Sequence, residues 1–184
     1  MIIMKIIETI INGVCIIETQ VFNDQRGSFQ KILNYNIFKS LNLDTNFKEY
    51  YFSISKKDVI RGLHFQIPPF EHTKLVNVSF GSILDVIVDL RKSSSSFGKL
   101  LSFELNSHSG RFLYLPSGIA HGFKSLEDNT IVNYTQTSCY SKEHDNGILF
   151  SSIDFDWKTT KPLVSERDLF FPTLKEFIKR TPFL

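Results

Sequence analysis

Cysteine is scarce in this chain. Cys15 and Cys139 are the only two among 184 residues, and neither sits in a CxxC pair. That excludes a disulfide framework and leads us to expect reduced thiols in the cytoplasm. An excess of charge is missing too, with 21 Lys and Arg against 19 Asp and Glu. A net charge of +2 leaves no basic footprint for nucleic acid or an anionic membrane. Nor is there a long uninterrupted apolar run. Residues 1–17 are apolar, but Lys5, Glu8 and Asn12 break them up. The stretch is too short and too charged for a membrane span, and it lacks the apolar region and cleavage site of a signal peptide. Met1 and Met4 are both candidate starts. Helix signals are few, at residues 37–43 and 172–180. We find no internal repeat, and the serine run Ser93–Ser96 reads as a loop because strand patterns continue on both sides. One domain over residues 1–184 is expected.

What the chain does have is phenylalanine, 18 residues of it. Aromatics at 14% favour strands and a large buried core. Strand-like runs recur at residues 13–22, 48–55, 74–80, 82–90, 99–105, 111–115 and 130–137, and a turn signal closes the first at residues 23–27. Gly81 between two of the runs suggests a hairpin. Many short strands at such spacing predict an all-β sandwich or barrel with a few short helices.

Two histidines stand in informative surroundings. One is in Arg61-Gly62-Leu63-His64-Phe65-Gln66, followed by Pro68-Pro69 and Lys74. The other is in Gly110-x5-Pro116-x-Gly118-x2-His121-Gly122-Phe123. The second spacing resembles a half-motif of the cupins, small jelly-roll β-barrels with a site in the barrel mouth. Metal-binding cupins carry H-x-H and a Glu in the other half-motif. Here those positions read His64, Gln66 and Glu71, a weaker donor set with Lys74 nearby to repel a cation. The expectation is therefore no metal. The plainer alternative for both histidines is a hydrogen-bonded structural role.

Without a metal, His, Lys and Tyr suit proton abstraction α to a carbonyl. A base removes the carbon-bound proton, a cation meets the charge on the oxygen, and an acid returns a proton. His64 is a natural base, with an ordinary pKa near 6.5. A buried carboxylate would fix its tautomer. Lys74 is a candidate for the oxyanion and Tyr134 for the acid, the alternative for Tyr134 being a packed core residue. One conflict stands in the pattern. On a plain strand Gly62, His64 and Gln66 share a face and Arg61 points the other way. For Arg61 and His64 to share a site, the strand must bulge or bend at Gly62.

The chain resembles the dTDP-4-dehydrorhamnose 3,5-epimerases, cupin-fold enzymes of deoxysugar nucleotide biosynthesis. The matches span residues 13–174. They are Asp24-x-Arg26-Gly27-x-Phe29; Arg61 to Gln66 with Pro68-Pro69; Lys74-Leu75-Val76; Gly81-x3-Asp85-Val86-x-Val88-Asp89-Leu90-Arg91; Phe97-Gly98; Pro116-x-Gly118-x-Ala120-His121-Gly122-Phe123; and Ser165-Glu166-Arg167-Asp168. The resemblance implies a cofactor-free epimerase of a nucleotide-linked 4-keto-6-deoxyhexose, inverting C5, C3 or both. His64 would be the base, oriented by Asp168. Tyr134 would be the acid, Lys74 would stabilise the enolate, and His121 would bond the sugar. Arg26 and Arg61 would meet the substrate or its diphosphate. Phe29, Lys31, Glu49, Tyr51, Tyr140, Asp145 and Arg167 complete the implied substrate set. It also implies a homodimer exchanging N-terminal strands, so that Arg26 serves the partner's site.

The departures fall on substrate positions. Lys31 stands where the family has a glutamate that helps read the base. Glu49-Tyr50-Tyr51 replaces Gln-Asp-Asn, Cys139-Tyr140 replaces a tyrosine pair, and Asp145 replaces a glutamate. A cation in place of a base-reading acceptor should alter nucleobase preference. Resemblance to a relative of the family that acts as a 5-epimerase on a CDP-linked 3,6-dideoxy-4-ketohexose implies that sugar nucleotide as an alternative substrate. The remaining alternatives are a metal-dependent cupin enzyme and a sugar-nucleotide binding module without catalysis. Mere binding would not require His64, Asp168, Lys74 and Tyr134 together.

Overall fold

The structure, a computed structural model, describes residues 4–183. Met1, one of the two candidate starts, lies outside them. In chain order the strands are β1 (Met4–Glu8), β2 (Cys15–Thr19), β3 (Val21–Asp24), β4 (Gly27–Gln30), β5 (Glu49–Ser55), β6 (Ile60–Gln66), β7 (Lys74–Phe80), β8 (Ser82–Asp89), β9 (Leu100–Asn106), β10 (Arg111–Leu115), β11 (Ile119–Ser125), β12 (Thr130–Gln136) and β13 (Asp145–Gly147). The helices are short: α1 (Tyr35–Ser40), α2 (Glu166–Leu169) and α3 (Leu174–Ile178). Six strands form one sheet in the order β1-β2-β10-β7-β12-β5, and five form another in the order β13-β6-β11-β8-β9. Pairing between neighbours is antiparallel throughout. The expected all-β, jelly-roll architecture is what the chain adopts.

The alternation of side chains along each strand explains why two sheets pack together. Val76 and Val78 of β7, Leu113 and Leu115 of β10, Ile83 and Ile87 of β8, and Phe123 of β11 form a core shared by both sheets. The intervening residues face outward and are covered in turn. Phe112 and Tyr114 pack with Phe38 of α1. Val86 and Val88 pack with Trp157, Phe177 and Phe183 of the C-terminal segment. Phenylalanines contribute to all three layers, two of which lie on the outer sheet faces, while Phe22, Phe29, Phe52, Phe70, Phe80, Phe97 and Phe170 stay exposed.

Local differences from the expected elements have local causes. The run at residues 13–22 divides, because Thr19 closes β2 by donating its amide to Gly110 O (2.8 Å) and the chain then leaves for the β3–β4 hairpin. The first helix begins earlier than expected because the Asn34 side chain caps it through the Ile37 amide (3.1 Å). The last is shorter than residues 172–180, starting after a capping box of Thr173 and Glu176. Helix α2 was not expected; Ser165 caps it through the Asp168 amide (3.2 Å).

The conflict at Gly62 resolves as a bulge. His121 pairs with His64 but Phe123 pairs with Arg61, so three steps on β6 face two on β11. The extra residue returns Arg61 to the inner face beside His64, and both line one cavity. Gly62 has φ +119°, and a Cβ there would lie 2.5 Å from Gly122 Cα and 2.7 Å from His121 O. Gly62→Ala is expected to cost about 2–4 kcal/mol, as strain plus overpacking, and a lowered urea midpoint at unchanged slope would register it.

Candidate active site

Residues of both sheets enclose a cavity of about 390 Å³, within the range of small-molecule sites. Its wall is set by strand alternation. The inward residues Glu49, Tyr51 and Ser53 come from the edge strand β5, Arg61 and His64 from β6, Lys74 from β7, His121 from β11, and Tyr134 from β12. Tyr140, Asp145 and Arg167 close the rim.

His64 is tied to the C-terminal segment. Its Nε2 lies 2.9 Å from Asp168 Oδ1 and 2.9 Å from Arg167 Nη2. One nitrogen cannot both donate to the carboxylate and accept from the guanidinium in one tautomer. The buried carboxylate fixes Nε2–H, which leaves Nδ1 to carry the lone pair and makes Arg167 a neighbouring charge. Asp168 also accepts from the Gly62 amide (3.1 Å). Arg167 in turn pairs with Asp145 (2.5 Å) and lies over the Phe171 ring, which meets His64 edge-on.

Burial sets the electrostatics. It pushes the His64 imidazole below its usual pKa; Asp168 opposes this, and the Arg167 and Lys74 charges add to it. Burial also lowers Lys74 to about 8, against the pull of Asp145 and Asp85. Among the described residues Lys74 makes no side-chain hydrogen bond and no ion pair, so its ammonium faces the cavity unclaimed. The Asp168 carboxyl is held at about 2: burial would raise it, and the bonds from His64 and the Gly62 amide outweigh that. His121 is fixed by Asp85 through Nε2 at 2.7 Å. Tyr134 is buried, stacked on Tyr51 with ring centroids 4.8 Å apart, and burial pushes its phenol far up. The cavity thus holds a neutral imidazole, a bare ammonium and a protonated phenol around one space, which is the set needed to make and quench an enolate.

The model of the dTDP-4-dehydrorhamnose 3,5-epimerase family matches residues 8–176. The chain belongs to that family. It is 40% identical over 169 residues to the dTDP-4-dehydrorhamnose 3,5-epimerase of Shigella flexneri, covering 90% of this chain and 93% of that one. It is 38% identical over 177 residues to the enzyme of the same name from Methanothermobacter thermautotrophicus, covering 94% and 95%. Among solved structures, it resembles the Legionella pneumophila epimerase RmlC in complex with dTDP-4-keto-L-rhamnose, with a TM-score of 0.92, 31% identity and 98% of each chain covered. It also resembles the Bacillus anthracis enzyme with TDP and PPi bound, with a TM-score of 0.89, 38% identity, and 94% of this chain and 100% of that one covered. The protein is an epimerase, an enzyme of the isomerase class.

In this epimerase two of the residues matching the cupin metal positions, His64 and Gln66, are otherwise engaged. Gln66 Nε2 donates to Phe70 O (2.9 Å) and Cys139 O (3.2 Å), and its Oε1 accepts from the Ser141 amide (2.6 Å). It clamps two loops, with its oxygen held by the Ser141 amide. Glu71 does not line the cavity. Among the described residues no group of three or more His, Cys, Asp or Glu is placed to hold a metal. Three implied substrate residues are not brought to this cavity. Arg26 and Phe29 lie exposed on the β3–β4 hairpin, with Lys31 just after it, and the hairpin pairs with neither sheet. Arg26 is engaged with Asp24 (2.5 Å).

Sequence reasoning assigned no role to Asp85, Ser53, Gln136 or His72. Gln136 and His72 line the same cavity, and His72 is kept neutral by burial and then by Lys74, with a pKa of about 3. Asp85 was findable: a carboxylate alternating with Ile83 and Ile87 must be buried and therefore partnered. No described helix is long and apolar enough to cross a membrane.

Asp168 has a depressed pKa, so its contribution to stability is present above the unfolded value near 3.9 and is lost as pH falls toward about 2. Urea midpoints measured from pH 5 to pH 2 should therefore fall more steeply for the wild type than for Asp168→Asn.

Proposed function

We propose that this epimerase inverts a carbon α to the C4 ketone of a nucleotide-diphosphate-linked 4-keto-6-deoxyhexose, at C5, C3 or both, without a cofactor. The observation that carries the reading is the His64–Asp168 pair facing Lys74 and Tyr134 across one cavity. His64 removes the α proton through its free nitrogen. The C–H electrons move into the ring, and the negative charge appears on the C4 oxygen. The unclaimed Lys74 ammonium meets that oxygen, while Asp168 stabilises the imidazolium. Tyr134 then delivers its proton to the opposite face of the carbon. His121, steadied by Asp85, holds the sugar, and Arg61, Tyr51, Glu49, Tyr140, Asp145 and Arg167 line the path to the nucleotide. The ligands in the Legionella and Bacillus anthracis structures, a dTDP-keto sugar and TDP with PPi, support a nucleotide-sugar substrate.

The reading includes a cytoplasmic homodimer in which Arg26, Phe29 and Lys31 reach the partner's cavity. Supporting it, the hairpin is unattached to either sheet, and Tyr50, Phe52 and Ile54 on the edge strand β5 and Phe80 on β7, across β12 from it, are exposed apolar residues. Light scattering should give twice the 21.3 kDa chain mass, and the chain mass alone would sink the dimer.

Incubation of dTDP- and CDP-linked 4-keto-6-deoxy sugars in D2O should place deuterium at C5 or C3. His64→Ala is expected to abolish that exchange, and exchange by neither substrate class would overturn the reading. The pH dependence has a worked sign. The base needs a neutral His64, whose pKa is depressed, so the acid limb should lie below about 6.5. The ammonium of Lys74 titrates near 8, so the rate should fall above that pH.

A further inference from the structure

The acid has a neighbour without an assigned role. Tyr134 is 7% exposed, with Tyr51 stacked on one side and the His121 ring edge-on at 6.2 Å. Among the described residues its hydroxyl has one hydrogen-bond partner, Ser53 Oγ, at 3.3 Å. The placement follows from register. Tyr134 pairs directly with Tyr51, so Ser53, two residues along β5 on the same face, sits diagonally beside the phenol. Ser55, the next inward residue, accepts from Arg61 Nε (3.0 Å), so its hydroxyl is taken. Ser53 also lines the cavity.

We propose that Ser53 is the positioning residue of the acid: its hydroxyl donates to the Tyr134 oxygen and leaves the phenolic proton directed at the sugar. This rests on the epimerase mechanism above. A phenol that must give its proton to carbon cannot also give it to serine, which fixes the direction of the bond. The same donor stabilises the tyrosinate left after inversion, and the Ser53 bond works against the upward push of burial on this phenol. It also supplies a route for resetting the site. Each inversion leaves a proton on His64 and a tyrosinate at Tyr134. Ser53 can pass its proton to the tyrosinate and take one from cavity water, while the imidazolium returns its own proton to solvent. The books then balance with no other reactant. The 3.3 Å separation is long for an O–H···O bond, and such contacts tighten when substrate fills the site.

The test separates proton removal from inversion. In D2O, His64 can exchange the C5 proton and return deuterium to the same face, whereas inversion requires Tyr134. Ser53→Ala should keep exchange with retention near the wild-type rate and slow inversion ~10–100-fold, the loss of one hydrogen bond to a charged group. Ser53→Thr should restore the wild-type partition. Should Ser53→Ala fail to fold, Ser53→Cys, a weaker donor, carries the same comparison. Unchanged partition in Ser53→Ala overturns the inference and leaves the epimerase reading intact. Absence of exchange by the wild type overturns both.

Discussion

The buried carboxylate of Asp168 bonds at once to the Gly62 amide and to the His64 ring. A carboxylate taken out of water must be satisfied, and these two donors, with Arg167 Nε at 3.3 Å, satisfy it. The Gly62 amide lies at the bulge that turns Arg61 inward. One anion therefore docks the C-terminal segment, serves the backbone at the irregularity and sets the imidazole tautomer. The packing of Trp157, Phe177 and Phe183 over the five-stranded sheet holds that segment against the strand it serves.

The remaining features of the cavity follow from low polarity. Burial lowers both His64 and Lys74, for the same reason: each charged form has lost water. Yet the outcomes differ. A neutral imidazole is ready to accept a proton at physiological pH, while an ammonium with a pKa of about 8 still carries its charge. An enolate oxygen would meet an ammonium with no competing partner among the described residues, and its attraction is strongest where water is excluded. The aromatic stack of Tyr51 on Tyr134 holds the phenol in the wall of that cavity.

Much of this was legible before any coordinates. β-Branched and aromatic runs between turn signals marked many of the strands, and the order and chemistry of the matched segments pointed to the family and to His64, Lys74, Tyr134 and Asp168. Strands β6 and β11 were visible as motifs, not as strands, because glycine and histidine weaken their β pattern. Ser53 escaped because a lone serine on a strand carries no signal until its neighbour across the ladder is known.

Sequence alone determined the fold class and the chemical inventory, since alternation and residue type are local properties of the chain. Tertiary structure decided which groups meet. His64 and Asp168 are 104 residues apart along the chain, and only the docking of the C-terminal segment brings them to 2.9 Å. Likewise the facing of Arg61 depends on a register shift against β11, a property of two strands that neither strand encodes by itself.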